Sequence, residues 1–340
     1  MFNEDKSLDK KRIRKIVSQY EMPDTWRSIW QITNTILPYI ILFYLMLISF
    51  SISIWFTLIL SIPTAGFMVR TFILFHDCGH GSFFKSRKAN MILGNVTGIL
   101  TFTPYQAWKH DHAIHHATAG DLDRRGTGDV ATWTMEEYLE APWWKKAGYR
   151  IMRSPLILFT VGSALLFVVF QRIPRPSQKK RERNSIFLTN LYLAFFITAL
   201  ITIFGWKAYL LAQLPVMLLG SSAGVWLFYV QHNFEGTYWE RNDKWDYFKA
   251  SMKGSSYYKL PAILQWFSGN IGSHHIHHLS ANIPNYYLRK CYKENSIFHV
   301  KPITLISSLK SLRLRLWDEK NRRLIGWREL RRYRQASTSV

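Results

Sequence analysis

Histidine dominates the chemistry this sequence can offer. Of its 12 histidines, all but His232 and His299 fall in three short clusters. These are His76-Asp-Cys-Gly-His80, His110-Asp-His112-Ala-Ile-His115-His116 and His274-His275-Ile-His277-His278. On a helix, residues at i and i+4, or at i, i+3 and i+4, share one face. His76 and His80 have the first spacing; His112, His115 and His116 have the second, which His274, His277 and His278 repeat. Each cluster can therefore aim two or three imidazoles at one point. Eight imidazoles exceed what one metal ion normally takes, so two ions are implied. Structural zinc favours a closed tetrahedron with cysteines, a ligand set missing here. The clusters contain neither the His-Glu-x-x-His of zinc metalloproteases nor the Glu-x-x-His pairs of ferritin-like di-iron bundles. Imidazole suits Zn, Cu, Fe and Ni alike, so spacing alone leaves the metal open.

Ligating imidazoles need acceptors for their free N–H. Asp77, Asp111, Asp121, Asp123 and Glu235 are the candidate carboxylates, each also readable as an ordinary surface acid. Cys78 sits between His76 and His80, where it supplies a small side chain. Cys78 and Cys291 are the only cysteines, and with both expected in the cytosol no disulfide is expected.

The elements that position these residues are apolar. No charge interrupts Ser28 to Val69, a run long enough for two membrane-spanning helices in a hairpin, and the runs Asn184 to Trp206 and Ala208 to Phe234 supply one span each. The expected fold is an all-α integral membrane protein with four spans in two hairpins, interfacial helices and a cytosolic helical cap. One domain, 1–340, divides into a cytosolic segment 1–30, a hairpin 31–75, a cytosolic and interfacial region 76–185 with the first two clusters, a second hairpin 186–232, and a cap 233–340 with the third. Lys6 to Lys15 is basic without an adjoining apolar core, so it does not read as a cleaved signal, and the chain is expected to be used whole.

The net charge of +22 flanks the apolar runs instead of forming a separate basic domain, which favours a membrane surface over nucleic acid. The turn Ser49 to Ile54 carries no charge and Gly205 to Lys207 carries one Lys, so both face outward; the termini and the histidines face the cytosol. Two further apolar segments, 91–108 and 154–171, are expected to be interfacial or partly inserted without crossing. Crossing by the first would separate the clusters, and crossing by the second would export the basic loop Arg172 to Arg183. Leu305, Leu309, Leu312 and Leu316 form a helical stripe that suits a helix on lipid headgroups or on the protein's own cap. Arg70, the one charge inside a span, either snorkels to the interface or orients a carboxylate. No histidine lies mid-span, which argues against a metal-transport path.

The His-x-x-x-His, His-x-x-His-His, His-x-x-His-His series around two pairs of spans resembles the membrane fatty-acid desaturase superfamily. The resemblance extends to Trp108-Lys-His-Asp-His112, Gln231-His232-Asn-Phe-Glu235 and Gly269-Asn-Ile-Gly-Ser-His274, and covers about residues 30 to 290. Within the superfamily the chain looks most like bacterial acyl-lipid desaturases, and the stretch from His115 through Gly126-Thr-Gly128-Asp129 resembles the Δ5 type acting on membrane phospholipid; Δ12 and Δ9 stand behind it. The resemblance implies a non-haem centre of two Fe ions and O2 as oxidant. It implies ligand roles for His76, His80, His112, His115, His116, His274, His277 and His278, with His232 matching the family's additional histidine. His110 and His275 occupy variable positions.

An unactivated methylene has no acidic proton, so the oxidising power must come from a cofactor. The sequence has no haem or flavin fingerprint, and its basic cytosolic side favours an acidic donor such as ferredoxin or flavodoxin. The readings held beside desaturation are a membrane di-iron hydroxylase of an alkane, carotenoid or lipid, and a metal-transporting membrane protein.

Overall fold

The computed structural model describes residues 6–338. Helix α1 (Lys6–Ser18) precedes α2 (Thr25–Ser49), which starts where the Asp24 carboxylate accepts from Arg27 N at 3.0 Å. Helix α3 (Ile54–His80) returns antiparallel to α2, and a 2.8 Å bond between Ser49 Oγ and Thr57 Oγ1 pins the turn. It ends at Gly81, whose φ of 76° only glycine adopts freely. The helix thus runs five residues past the expected boundary at 75, and His76 and His80 ride on its last two turns.

The apolar segment 91–108 is two helices, α4 (Arg87–Leu100) and α5 (Tyr105–Thr118), broken where Thr103 N bonds Gly98 O and Phe102 takes φ 55°. Next come α6 (Met135–Glu140), α7 (Trp143–Met152), α8 (Pro155–Leu158), α9 (Val161–Val168) and a 3-10 turn at Phe170–Arg172. Helix α10 (Lys180–Phe204) and α11 (Trp206–His232) form the second hairpin, turning on Gly205 alone.

Five segments among the described residues are long and apolar enough to cross a membrane: α2, α3, α10, α11 and Pro155–Arg172. The fifth is built of two short helices and a turn. Ile40, Ile41, Phe187, Leu191 and Phe195 are exposed along the outer faces of α2 and α10, more apolar surface than water tolerates. Inside the bundle, α2, α3 and α11 pack around Tyr39, Met46, Met68, Ala212 and Val216.

The cap contains α12 (Tyr247–Gly254), α13 (Ala262–Phe267), α14 (His274–Leu279) and α15 (Asn285–Glu294). It is not purely helical. Strand β1 (Trp133–Thr134) pairs in parallel with β4 (Leu316–Asp318), which pairs antiparallel with β5 (Arg323–Ile325); β2 (Tyr258–Lys259) pairs in parallel with β3 (Ile303–Thr304). This overturns the continuous helix expected through Leu316. Leu305–Ser308 is one α turn (α16), Leu309–Arg313 is 3-10, and Leu316 is fully buried in β4. Pairing with Trp133 and Ile325 captures Leu316 where a surface helix would have left it at the headgroups. Ile13 and Val17 of α1 pack on Ile276, Ile283 and Leu288, tying the N-terminal helix to the third cluster. Helix α17 (Trp327–Thr338) follows β5.

Arg70 follows neither sequence reading. It is buried; Nε donates to Thr35 Oγ1 at 3.0 Å, Nη1 donates to the Trp266 carbonyl, and the guanidinium lies 3.8 Å from the Trp266 ring centroid. It fastens α13 to α3 by cation–π contact and carbonyl, with no carboxylate involved.

Candidate metal centre

Four helices bring nine histidines together in two groups. His76 and His80 from α3, His112 and His116 from α5 and His277 from α14 make the first; His115 from α5, His232 from the end of α11, and His274 and His278 from α14 make the second. Within each group the candidate ligand atoms lie within 4.8 Å of one another. Helical spacing explains the division. On α5, His112 and His116 are one full turn apart and point one way, while His115 points to the neighbouring group; on α14, His274 and His278 do the same and His277 diverges. The groups adjoin, since the His116 and His278 rings stack at 4.1 Å.

In the first group His116 Nε2 lies 3.2 Å from His112 Nε2 and 3.0 Å from His277 Nε2. In the second, His232 Nε2 lies 3.1 Å from His115 Nε2 and 2.9 Å from His274 Nε2, which is 3.1 Å from His278 Nε2. The far side of three rings is fixed. His76 Nδ1 meets Asp77 Oδ1 at 3.0 Å, His115 Nδ1 meets Asp129 Oδ1 at 2.5 Å, and His232 Nδ1 meets the Gly254 carbonyl at 3.2 Å. A carboxylate or carbonyl accepts, so in the neutral ring each Nδ1 carries the proton and each Nε2 presents a lone pair. As neutral imidazoles, His115 and His232 face each other lone pair to lone pair. A cation between them is the natural partner for that arrangement, and the donor set fits a metal. His80 Nε2 is likewise buried without a hydrogen-bond partner. Burial first, then neighbouring imidazoles, holds His112, His116, His274, His277 and His278 well below the usual histidine range, in the neutral form that ligates.

Of the carboxylates proposed from sequence, only Asp77 touches a clustered histidine. Its other oxygen accepts from Asn285 N at 2.7 Å and Nδ2 at 2.8 Å. Asp111 instead pairs with Arg175, Asp121 accepts from Arg124 Nε at 2.6 Å, Asp123 pairs with Arg241 at 2.6 Å, and Glu235 reaches out to Lys310 at 3.7 Å. Excess arginine and lysine nearby claims them all. The acceptor that sequence reasoning missed is Asp129. Its signal was the Gly126-Thr-Gly128 turn before it: Gly128 has φ 72°, and a Cβ there would lie 3.1 Å from both Asp111 O and His115 Cβ, so glycine lets the loop lie against α5. His110 is exposed; His275 is buried apart from both groups and bonds the Phe298 carbonyl at 2.9 Å.

A cavity of about 540 Å³ reaches His76, His112 and His274. Its walls are mostly apolar, including Met68, Phe72, Phe167, Val225 and Phe228. Met68 serves both cavity and core, since it also packs in the bundle interior.

The family described as "Fatty acid desaturase" matches residues 51–298, a stretch holding both histidine groups and the cavity. The chain belongs to this fatty acid desaturase family. A Bacillus subtilis protein named "Fatty acid desaturase" is 44% identical over 94% of this chain and 92% of its own length. A Synechocystis "sn-1 acyl-lipid omega-3 desaturase (ferredoxin)" is 27% identical over 68% of this chain and 64% of its own, and a Picosynechococcus "sn-1 oleoyl-lipid 12-desaturase" is 25% identical over 65% and 63%. As a member of the family, the chain is an oxidoreductase of lipid metabolism and a membrane protein, and its clustered histidines form a site that can bind metal.

Proposed function

We propose that this desaturase introduces a cis double bond into the acyl chains of membrane phospholipid, using O2 and two iron ions. One iron is held by His76, His80, His112, His116 and His277, the other by His115, His232, His274 and His278. The carrying observation is that these lone pairs converge at the head of an apolar cavity. When bound, the iron pair supplies the oxidising power that an unactivated methylene requires.

The chain's own residues do the rest. Asp77, Asp129 and the Gly254 carbonyl hold protons on the outer ring nitrogens of His76, His115 and His232 and so keep the inner nitrogens free. The apolar walls bind the acyl chain and exclude water, which suppresses side reactions. Electrons come from an acidic donor, ferredoxin or flavodoxin, steered to a strongly basic protein. Residues 1–340 act as one membrane domain in the cell membrane, with four spans, and with the termini and the metal centre on the cytosolic side. Pro155–Arg172, interrupted at Phe159 and Thr160, stays at the interface. The double bond is assigned to Δ5, ahead of Δ12 and Δ9, on the likeness of the Gly126 to Asp129 stretch.

Expression in a host without desaturases tests this. Lipids that lose two hydrogens at a single mapped position, and purified protein with two irons per chain, are the expected results. Gain of an oxygen in place of hydrogen loss would make the chain a hydroxylase, and metal flux without oxygen consumption would make it a transporter.

A further inference from the structure

The cavity that reaches the histidines follows one face of α11. Gly220, Ser221, Gly224, Val225, Phe228 and Gln231 line it, at steps of one side of the helix. At about 1.5 Å per residue, Gly224 stands about 12 Å and Gly220 about 18 Å along the axis from His232. The two glycines differ. A Cβ at Gly220 would lie 3.0 Å from Met68 Sδ, and Ser221 Oγ is 3.1 Å from Ser163 Oγ, so at this level α11 has closed on α3 and α9. A Cβ at Gly224 would meet nothing within 4 Å. Close packing explains Gly220. It does not explain Gly224, and a glycine in a helix interior is less favourable than an alanine. What Gly224 leaves free is cavity.

The cavity has a polar end and an apolar one. The ion pair of Asp111 with Arg175 lines it beside the histidines, and Met68 lines it beside Gly220. An acyl lipid therefore lies with its ester and headgroup toward Asp111 and its methyl end toward Met68, past Gly224.

We propose that Gly224 sets how much acyl chain is accepted on the methyl side of the reacting carbons, by keeping open the last turn of cavity above the floor at Gly220, Ser221 and Met68. This rests on the desaturase reading above. A Cβ at 224 displaces no protein atom, and a longer side chain extends from there into the cavity and shortens it from the Gly220 end. In an apolar pocket, one methylene too many changes selectivity by about 10- to 200-fold.

The test compares Gly224→Ala, Gly224→Leu and Ala223→Leu, the last placing the same leucine side chain at the adjacent residue, which is exposed and outside the cavity lining. Two readouts are taken: the acyl chains that co-purify with the protein, and the unsaturated products in a desaturase-free host fed saturated chains of graded length. Gly224→Leu should shift both toward shorter chains, lowering the ratio of longest to shorter by about tenfold or more. Gly224→Ala should lie between, and Ala223→Leu should match wild type. An unchanged bound-chain profile in Gly224→Leu would overturn the proposal, and so would a loss uniform across lengths. Wild-type protein that binds the graded chains but makes no unsaturated product would sink the desaturase reading, while the bound-chain shift would still decide the role of Gly224.

Discussion

His115 Nδ1 lies 2.5 Å from Asp129 Oδ1, and across the same ring His115 Nε2 faces His232 Nε2 at 3.1 Å. A loop carboxylate thus decides which nitrogen of an α5 histidine is free for metal. Loss of such an orienting partner typically costs about 10- to 100-fold in metal affinity or activity. Asp129→Ala should therefore lower desaturation and iron content within that range. Asp129→Asn, whose side-chain carbonyl still accepts, should recover part of both. Asp123→Ala, which removes a partly exposed acceptor of Arg241 and of Asn242 N and touches no clustered histidine, should leave iron content unchanged, as read by metal analysis of folded protein.

The histidine clusters were legible because helical spacing is a local property. The i, i+3, i+4 pattern placed the rings of α5 and α14 on one side of each helix, but did not show that His115 and His277 would each join the opposite group from their cluster neighbours, which depends on how the helices meet. Which carboxylate meets which ring was not legible, because it depends on loops returning from elsewhere. Asp121 and Asp123 follow α5 closely in sequence yet turn to Arg124 and Arg241, while Asp129 comes back across Gly128. The leucine stripe misled for a similar reason. Its period of three and four fits a helix, but Leu316 gains more by pairing between Trp133 and Ile325 in a sheet assembled from distant segments. The cavity was invisible because an open space leaves no residue signature except a glycine whose reason lies in three dimensions.

The buried histidines make the metal-free protein acid-labile. His112, His116, His274, His277 and His278 lie well below their ordinary range, and His275, buried in the cap, is lowered to about 4. Folded protein then binds fewer protons than unfolded protein below about pH 6.5, so stability falls as pH drops through that value and keeps falling toward the folded pKa. Each such group contributes up to about 1.4 kcal/mol per pH unit in this window. Thermal unfolding of metal-free protein in detergent should show Tm decreasing from pH 7 to pH 5, and flat above pH 7.5. A Tm that rises on acidification would contradict neutral, buried rings.

The loop between Pro155–Arg172 and α10 carries the topology. With four spans it is cytosolic, and a cysteine at the exposed Ser177 should resist an impermeant thiol reagent applied to intact cells and react after permeabilisation. Cys78 and Cys291 are buried and contribute little background. Rapid labelling from outside would mean that Pro155–Arg172 crosses, giving five spans.

His232 is the sharpest test of the two-iron arrangement, because it stands outside the three clusters. It ends α11, where a histidine could serve merely as a positive cap on the helix C-terminus. Its geometry says otherwise. The Gly254 carbonyl takes its Nδ1 proton, and Nε2 turns inward between His115 at 3.1 Å and His274 at 2.9 Å. A capping histidine would aim at the carbonyls of its own last turn; this one joins three rings from two other helices in a group of four. In a group that small, removing one ligand leaves three imidazoles, so both occupancy and geometry suffer. His232→Ala should lose desaturation as fully as His115→Ala and retain about half the iron, since the five-histidine group keeps its ligands. His299→Ala is the control: that ring is exposed and bonds only the Tyr292 carbonyl at 3.0 Å, and its loss should spare both activity and iron. Full iron content with near-normal activity in folded His232→Ala would remove His232 from the ligand set and leave the second metal to His115, His274 and His278.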